Sequence, residues 1–272
     1  MNTNGTLIDE EWASFFQQNP PRRINITLYG VNNETYEKLC HYKEGFDKTI
    51  KAIKLWKKHG IDVRLGSSVT NKNKEDLETF FEIRKELEIF AIADTYMVSA
   101  TREREREFSY ETRMSPEEAA QYRMIALKET IGEENFPEYL FRKIFEVEHI
   151  MPEDTPGTVT CYAGNCSFAV SWLGEMHPCV TMTIPVANVF EMGFKKAWKH
   201  IAEETKCIKT SLKCQKCNLR PICKNCAGNA FVETGAYDGT PDYLCRYAKE
   251  NYRLMLLEAE KYKEVTENEL DY

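Results

Sequence analysis

The chain has 272 residues, 42% of them hydrophobic, with 36 Lys and Arg against 43 Asp and Glu for a net charge of −7, which allows one large core or two smaller ones and argues against a general nucleic-acid binder with its basic face. No apolar run approaches the length of a membrane span, and the opening M-N-T-N-G-T-L-I-D-E has neither the basic end nor the apolar core of a signal peptide. The expected setting is therefore the reducing cytoplasm, where cysteines serve more often as metal ligands or redox groups than as disulfides.

In chain order, Ile24–Tyr29 (I-N-I-T-L-Y) is a short β-rich run closed by Gly30. Glu44–His59 carries Phe46, Ile50, Ile53 and Leu55 or Trp56 on one helical face, and Gly60 closes it as a C-cap. Ile61–Val69 is the next strand, Lys74–Glu88 a helix with Leu77, Phe80, Phe81 and Leu87 on one side, and Ile89–Val98 a third strand. Alternation of this kind predicts parallel strands joined by right-handed crossovers, with any active site at the carboxyl ends of the strands. The charged block Thr101–Phe108 (T-R-E-R-E-R-E-F) reads as a solvated surface, and its sharper alternative is a loop that touches a charged peptide. Ser115, Pro116 and Glu118 mark a capped helix start, and that helix is expected to run to about Ile131. A second helix is expected over Glu138–Glu148, followed by the turn-rich linker Met151–Gly157.

Beyond the linker, Ser167–Trp172 and Met176–Met182 read as a β-hairpin around Leu173, Gly174 and Glu175, which would bring Cys166 and Cys179 near each other. Glu191–Glu203 is a helix with Phe194, Ala197, Trp198 and Ile201 as its buried stripe. Pro241–Val265 is a long closing helix with Cys245 near its start, and the acidic end Thr266–Tyr272 is expected to fray. The expected division is a parallel α/β domain over 1–100, a helical bridge and linker over 101–157, and a cysteine-rich α+β domain over 158–272.

Nine of the ten cysteines lie between Cys161 and Cys245. Cys161 and Cys166 frame C-Y-A-G-N-C, Cys179 ends G-E-M-H-P-C, and C-Q-K-C-N-L-R-P-I-C-K-N-C supplies Cys214, Cys217, Cys223 and Cys226. Eight thiols at these spacings make two sets of four, the number taken by a tetrahedral zinc or by a cubane iron–sulfur cluster. The C-x2-C pairs suit zinc and iron alike. A site spread over a hairpin, a knuckle and a helix start favours clusters. Cys207 and Cys40 are left over, and the adjacent Cys40 and His41 point apart, which makes a poor nucleophile pair. His177, two residues before Cys179, reads as an exposed hairpin histidine, with tuning of a metal centre as the alternative.

The cysteine pattern resembles the SPASM domain, the auxiliary-cluster domain of radical S-adenosylmethionine (SAM) enzymes. That pattern is a cysteine, a G-x4-C, then C-x2-C-x5-C-x3-C and a final cysteine; here the last knuckle spacing is C-x2-C, one residue short. The resemblance implies that Cys161, Cys166, Cys179 and Cys226 hold one auxiliary 4Fe–4S cluster and that Cys214, Cys217, Cys223 and Cys245 hold a second, for electron transfer. Residues Thr3–Thr6 (T-N-G-T), Ile24–Gly30 and Val69–Asn73 (V-T-N-K-N) resemble the later part of a radical SAM partial barrel, in which Thr27 is the candidate SAM contact. The family's C-x3-C-x2-C, which holds the SAM-cleaving cluster, does not occur in the sequence. The resemblance therefore implies the C-terminal two-thirds of a peptide- or protein-modifying enzyme, truncated or split, inactive alone in SAM cleavage, and left with an unpaired sheet edge at Ile24–Tyr29. The competing expectation is a non-catalytic zinc- or cluster-binding module that pairs with a partner chain supplying the missing barrel half.

Overall fold

The computed structural model describes residues 1–98 and 112–270, with side chains as far as 262; the charged block Thr101–Phe108 lies outside the described residues. They divide into two compact units, 1–97 with 112–139, and Val98 with 140–270.

The first unit is built on four strands, β1 (Asn2–Thr3), β2 (Ile24–Thr27), β3 (Val63–Ser68) and β4 (Phe90–Asp94), adjacent in sequence order and all parallel. Ile24, Ile26, Val63, Leu65 and Ala91 alternate along β2 to β4 and are buried, the period-2 pattern of a pleated strand with one covered face. Between the strands run α1 (Glu10–Gln18), α2 (Asn33–Cys40), α3 (Gly45–Lys58) and, after a 3-10 turn at Lys74–Asp76, α4 (Leu77–Leu87). The buried face of α4 is Leu77, Phe80, Phe81 and Leu87, as its periodicity predicts.

In α3 the buried face is Gly45, Thr49, Ala52, Ile53 and Trp56, while Phe46 and Ile50 are half-buried. Small residues let α3 sit close to its neighbours: a Cβ on Gly45 would lie 2.1 Å from the Tyr36 ring. A pattern of large apolar residues does not register such contacts.

The sheet edge expected to be open at Ile24–Tyr29 is in fact covered. β1 pairs Asn2 with Asn25 and Thr3 with Ile26, and the Asn25 amide donates to the Met1 carbonyl at 2.8 Å. Two polar residues carry no hydrophobic period, so this strand exists only through its partner. Just beyond it, Gly5 is buried at φ +74°, and a Cβ there would lie 2.3 Å from Ile26 Cδ1. Gly5→Ala should cost about 2 kcal/mol in denaturant unfolding, from the left-handed backbone and the crowding; an unchanged midpoint would contradict this.

At the carboxyl ends of β2 and β3, Asn73 is buried and acts as a polar hub. Its Nδ2 donates to the carbonyls of Tyr29 and Ser68, both at 3.0 Å. Its Oδ1 accepts from the Thr70 amide at 2.7 Å and the Thr70 hydroxyl at 2.9 Å. Helix α5 (Pro116–Ile131) starts at Ser115, whose hydroxyl accepts from the Glu118 amide. The reciprocal half of the expected capping box is replaced, because the Glu118 carboxylate pairs with Lys74.

Helix α6 (Phe136–His149) leads into the second unit. Its small antiparallel sheet has β5 (Ala169–Val170), β6 (Glu175–His177) and β7 (Ala187–Asn188). The expected hairpin is therefore present, with shorter strands and a third strand beside it. Met176, Ala187, Ala197 and Ile201 form its buried core. The helix expected over Glu191–Glu203 is split into α7 (Val189–Met192) and α8 (Phe194–Cys207) by Gly193 at φ +75°. Phe194, assigned to the buried stripe, is exposed and stands edge-on to Phe168. Two short helices, α9 (Leu212–Gln215) and α10 (Ala227–Thr234), flank the cysteine knuckle. The closing helix α11 spans Asp242–Leu270, so the acidic end expected to fray is helical as far as Leu270.

Candidate metal centres

Local structure aims the cysteines of the second unit inward. Cys214 lies on α9, and the Cys217 amide folds back onto the Cys214 carbonyl at 3.2 Å. The Cys223 amide closes a turn on the Leu219 carbonyl at 3.0 Å. Cys226 is the N-cap of α10, and its sulfur accepts from the Asn229 amide at 3.4 Å. Cys245 is in the first turn of α11, its amide bonded to the Pro241 carbonyl. Cys161, Cys214, Cys217, Cys223, Cys226 and Cys245 all line one cavity of about 780 Å3.

The thiols fall into two electrostatic neighbourhoods. Burial pushes Cys223 up to about 11, and Cys245, Cys214 and Cys217 add to the shift. Burial also raises Cys245, with Cys214 and Cys217 again adding. For Cys226 burial is the main cause, opposed by the Asn229 and Gly228 amides, and the contributing thiols are Cys179 and Cys161. Buried thiols resist ionisation alone, so a metal that needs thiolates must displace protons here, and loading improves as pH rises.

Cys179 packs against the buried cluster of Ala163, Met182 and Ala227, and its sulfur is 3.2 Å from the Thr181 hydroxyl. Cys166 is exposed, in a turn whose amides bond to the Tyr162 carbonyl, and it does not line the cavity. Close backbone approach is needed at Gly228, where a Cβ would lie 2.2 Å from Thr181 Oγ1. Gly164 combines φ +65° with a would-be contact of 2.4 Å to Thr205 Oγ1.

The segment 151–157 is laced to the knuckle rather than free. Arg220 donates to Glu153 at 2.9 Å and to the Met151 carbonyl at 3.2 Å, and the Thr210 amide donates to the Gly157 carbonyl at 2.9 Å.

Among the described residues, no three His, Cys, Asp or Glu side chains lie close enough to share one metal ion. Four thiolates on a zinc, with bonds of about 2.3 Å, crowd to within about 4 Å of one another. A four-iron cubane holds its cysteines around a larger body. Sulfurs bordering a wide void, with amide N–H groups aimed at two of them, fit the larger group.

The remaining candidates separate from this cavity. Cys207 is exposed, its sulfur 3.6 Å from the Glu203 carbonyl. Cys40 ends α2 with a thiol raised by burial, and His41 beside it is left-handed at φ 55°. His177, expected to be exposed, is half-buried, and its Nδ1 is buried without a hydrogen-bond partner. Thr27, in the first unit, is the last residue of β2, half-buried and paired with Gly66 at the carboxyl edge of the sheet. Sequence reasoning missed Asn225, whose Nδ2 reaches Cys214 Sγ at 3.4 Å. A lone asparagine in C-K-N-C carries no spacing signal. No helix among the described residues is long and apolar enough to cross a membrane.

A parallel α/β unit followed by a unit that gathers cysteines around a wide void defines the class: an α/β protein with a cysteine-lined candidate metal site. Residues 1–87 match the radical SAM superfamily, and residues 161–227 match SPASM, described as an iron-sulfur cluster-binding domain. The chain belongs to the radical SAM/SPASM proteins. It is 25% identical over 254 residues to the AdoMet-dependent heme synthase of Methanosarcina barkeri, covering 86% of this chain and 70% of that protein. It is 24% identical over 274 residues to the serine-type anaerobic sulfatase-maturating enzyme of Bacteroides thetaiotaomicron, covering 90% and 64%. The solved structure of native anSMEcpe with bound AdoMet superposes with a TM-score of 0.67 at 20% identity, over 96% of this chain and 73% of that one. That protein has also been solved with AdoMet and the Kp18Cys peptide. Likeness at this identity establishes the fold. The SPASM match ends at Ala227, so Cys245 lies beyond the matched residues, although it lines the same cavity as the knuckle cysteines.

Proposed function

We propose that this chain is the electron-relay and substrate-side part of a radical SAM/SPASM enzyme that modifies a peptide or protein, and that it binds two auxiliary 4Fe–4S clusters. Cys161, Cys166, Cys179 and Cys226 would hold the hairpin cluster, and Cys214, Cys217, Cys223 and Cys245 the knuckle cluster. The observation that carries this reading is the division of the thiols: Cys223 and Cys245 interact with Cys214 and Cys217, while Cys226 interacts with Cys179 and Cys161. On this reading Cys226 would leave its sequence neighbours and join the hairpin thiols. When bound, such clusters take up and release single electrons.

The chain's own residues then have defined tasks. Eight thiolates saturate both clusters and leave no iron open to substrate. Amide donors to Cys226 and Cys223 compensate the negative charge of thiolate-bound iron. In the first unit, the sheet would be the later part of a partial barrel, with Thr27 facing SAM at the carboxyl edge and Asn73 holding the loops beside it. A peptide or protein substrate is supported by the solved relative with a bound peptide; the heme-synthase relative makes a tetrapyrrole the alternative outcome of a substrate-binding test.

Ligands for a SAM-cleaving cluster are not among these residues, since Cys40 alone precedes Cys161. A segment or partner chain bearing C-x3-C-x2-C would have to supply them. Anaerobic reconstitution of the 272-residue polypeptide should load about eight irons and leave SAM uncleaved. Stoichiometric zinc without a charge-transfer band would instead support a zinc-bearing binding module, and a burst of 5′-deoxyadenosine would overturn the assignment of cleavage to residues elsewhere.

A further inference from the structure

We infer that Asn225 is a positioning residue for the knuckle cluster, donating hydrogen bonds to one sulfur from each C-x2-C pair and so setting both their spacing and the cluster's reduction potential. The inference rests on the two-cluster reading above.

Asn225 sits in C-K-N-C, between Cys223 and Cys226, and lines the cysteine cavity. Its side-chain Nδ2 donates to Cys214 Sγ at 3.4 Å. Its backbone amide donates to the Cys223 sulfur. Cys214 belongs to the first pair and Cys223 to the second, so one residue spans the two arms of the knuckle. The short spacing between Cys223 and Cys226 keeps this residue in a tight loop. Cys226 at its far end already caps α10, and Asn229 Nδ2 bonds to the Lys224 carbonyl at 2.9 Å on the other side.

Asn225 Oδ1 is buried with no hydrogen-bond partner. A buried, unpaired acceptor is destabilising, and its NH2 group gains little from a neutral thiol. A cluster-bound thiolate is a much stronger acceptor, and the same contact then becomes charge-assisted. The residue suits the loaded state better than the empty one. Donors to cluster sulfurs stabilise the more negative reduced form, so they raise the reduction potential.

The test uses the full chain reconstituted anaerobically, with iron analysis and redox titration followed by electron paramagnetic resonance. Asn225→Leu keeps the shape and removes the side-chain donor; Asn225→Asp places an oxygen against the thiolate. With about eight irons retained, one of the two midpoint potentials should move negative in Asn225→Leu and further in Asn225→Asp, while the other stays. Two unmoved midpoints in fully loaded variants would overturn the inference. If Asn225→Leu fails to load the knuckle cluster, Asn225→Gln, which keeps an NH2 donor, should regain it, and equal loss in both would overturn the inference as well. A wild-type chain that binds no iron would sink the two-cluster reading, and this inference with it, before any variant is compared.

Discussion

Cys226→Ala and Cys245→Ala should each remove about four of about eight irons, but different ones. Cys226 sits one residue before α10, directly after Asn225 in a run with Cys223, yet the thiols that contribute to its shift are Cys161 and Cys179. Cys245 sits on α11, and its interacting thiols are Cys214 and Cys217. Losing one of four thiolates from a cubane would leave an iron to water and an unfavourable local charge, and the cluster is expected to dissociate. The cluster that remains in one variant should therefore be the one lost in the other, visible as complementary electron paramagnetic resonance signals that sum to the wild-type spectrum. The double variant should hold almost no iron. A compact zinc ribbon makes the opposite forecast: Cys214, Cys217, Cys223 and Cys226 would share one ion, and Cys245→Ala would change nothing. That pattern would end the crossing assignment.

Asn73→Ala should lower the stability of the first unit by about 3 kcal/mol, because a buried hub of four hydrogen bonds is lost and nothing replaces it. The carbonyls of Tyr29 and Ser68 and the amide of Thr70 lose the partner that spans them, and Asn73 is only 6% exposed. For a unit of this size the unfolding midpoint should fall by about 10 °C. Asn73→Asp keeps the acceptor for Thr70 but turns an oxygen toward two carbonyls, and it should be no better tolerated. Glu78→Ala, on the exposed side of α4, is the control and should stay within about 0.5 kcal/mol. A midpoint for Asn73→Ala as close to wild type as that control would show that the loops after β2 and β3 are held by something else. Under the proposed function the same variant should also weaken SAM binding, since those loops lie at the carboxyl edge beside Thr27.

The strands and helices with strong periods were legible without a structure. Leu77, Phe80, Phe81 and Leu87 fall at i, i+3, i+4 and i+10, so their shared face follows from helix geometry. Gly60 after Lys58 and Ser115 before Pro116 mark their helix ends because each supplies a backbone conformation or a side-chain acceptor that the end requires. The clustering of cysteines on the second unit was legible because their spacing alone marks it, and six of them do line one cavity. By contrast, β1 has two residues and no pattern, and it becomes a strand only when Asn25 and Ile26 lie beside it. Phe194 looked buried from its spacing, but Gly193 restarts the helix and turns that position outward.

By itself, then, the sequence determined an α/β chain with parallel crossovers and a cysteine-rich second unit, because period and residue spacing are local properties that survive without knowing what packs on what. The tertiary structure decided which cysteines border the cavity, and that Asn73 and Asn225 bind groups from separate segments. Those facts depend on distances between parts of the chain far apart in sequence, and such distances exist only after the backbone has closed on itself.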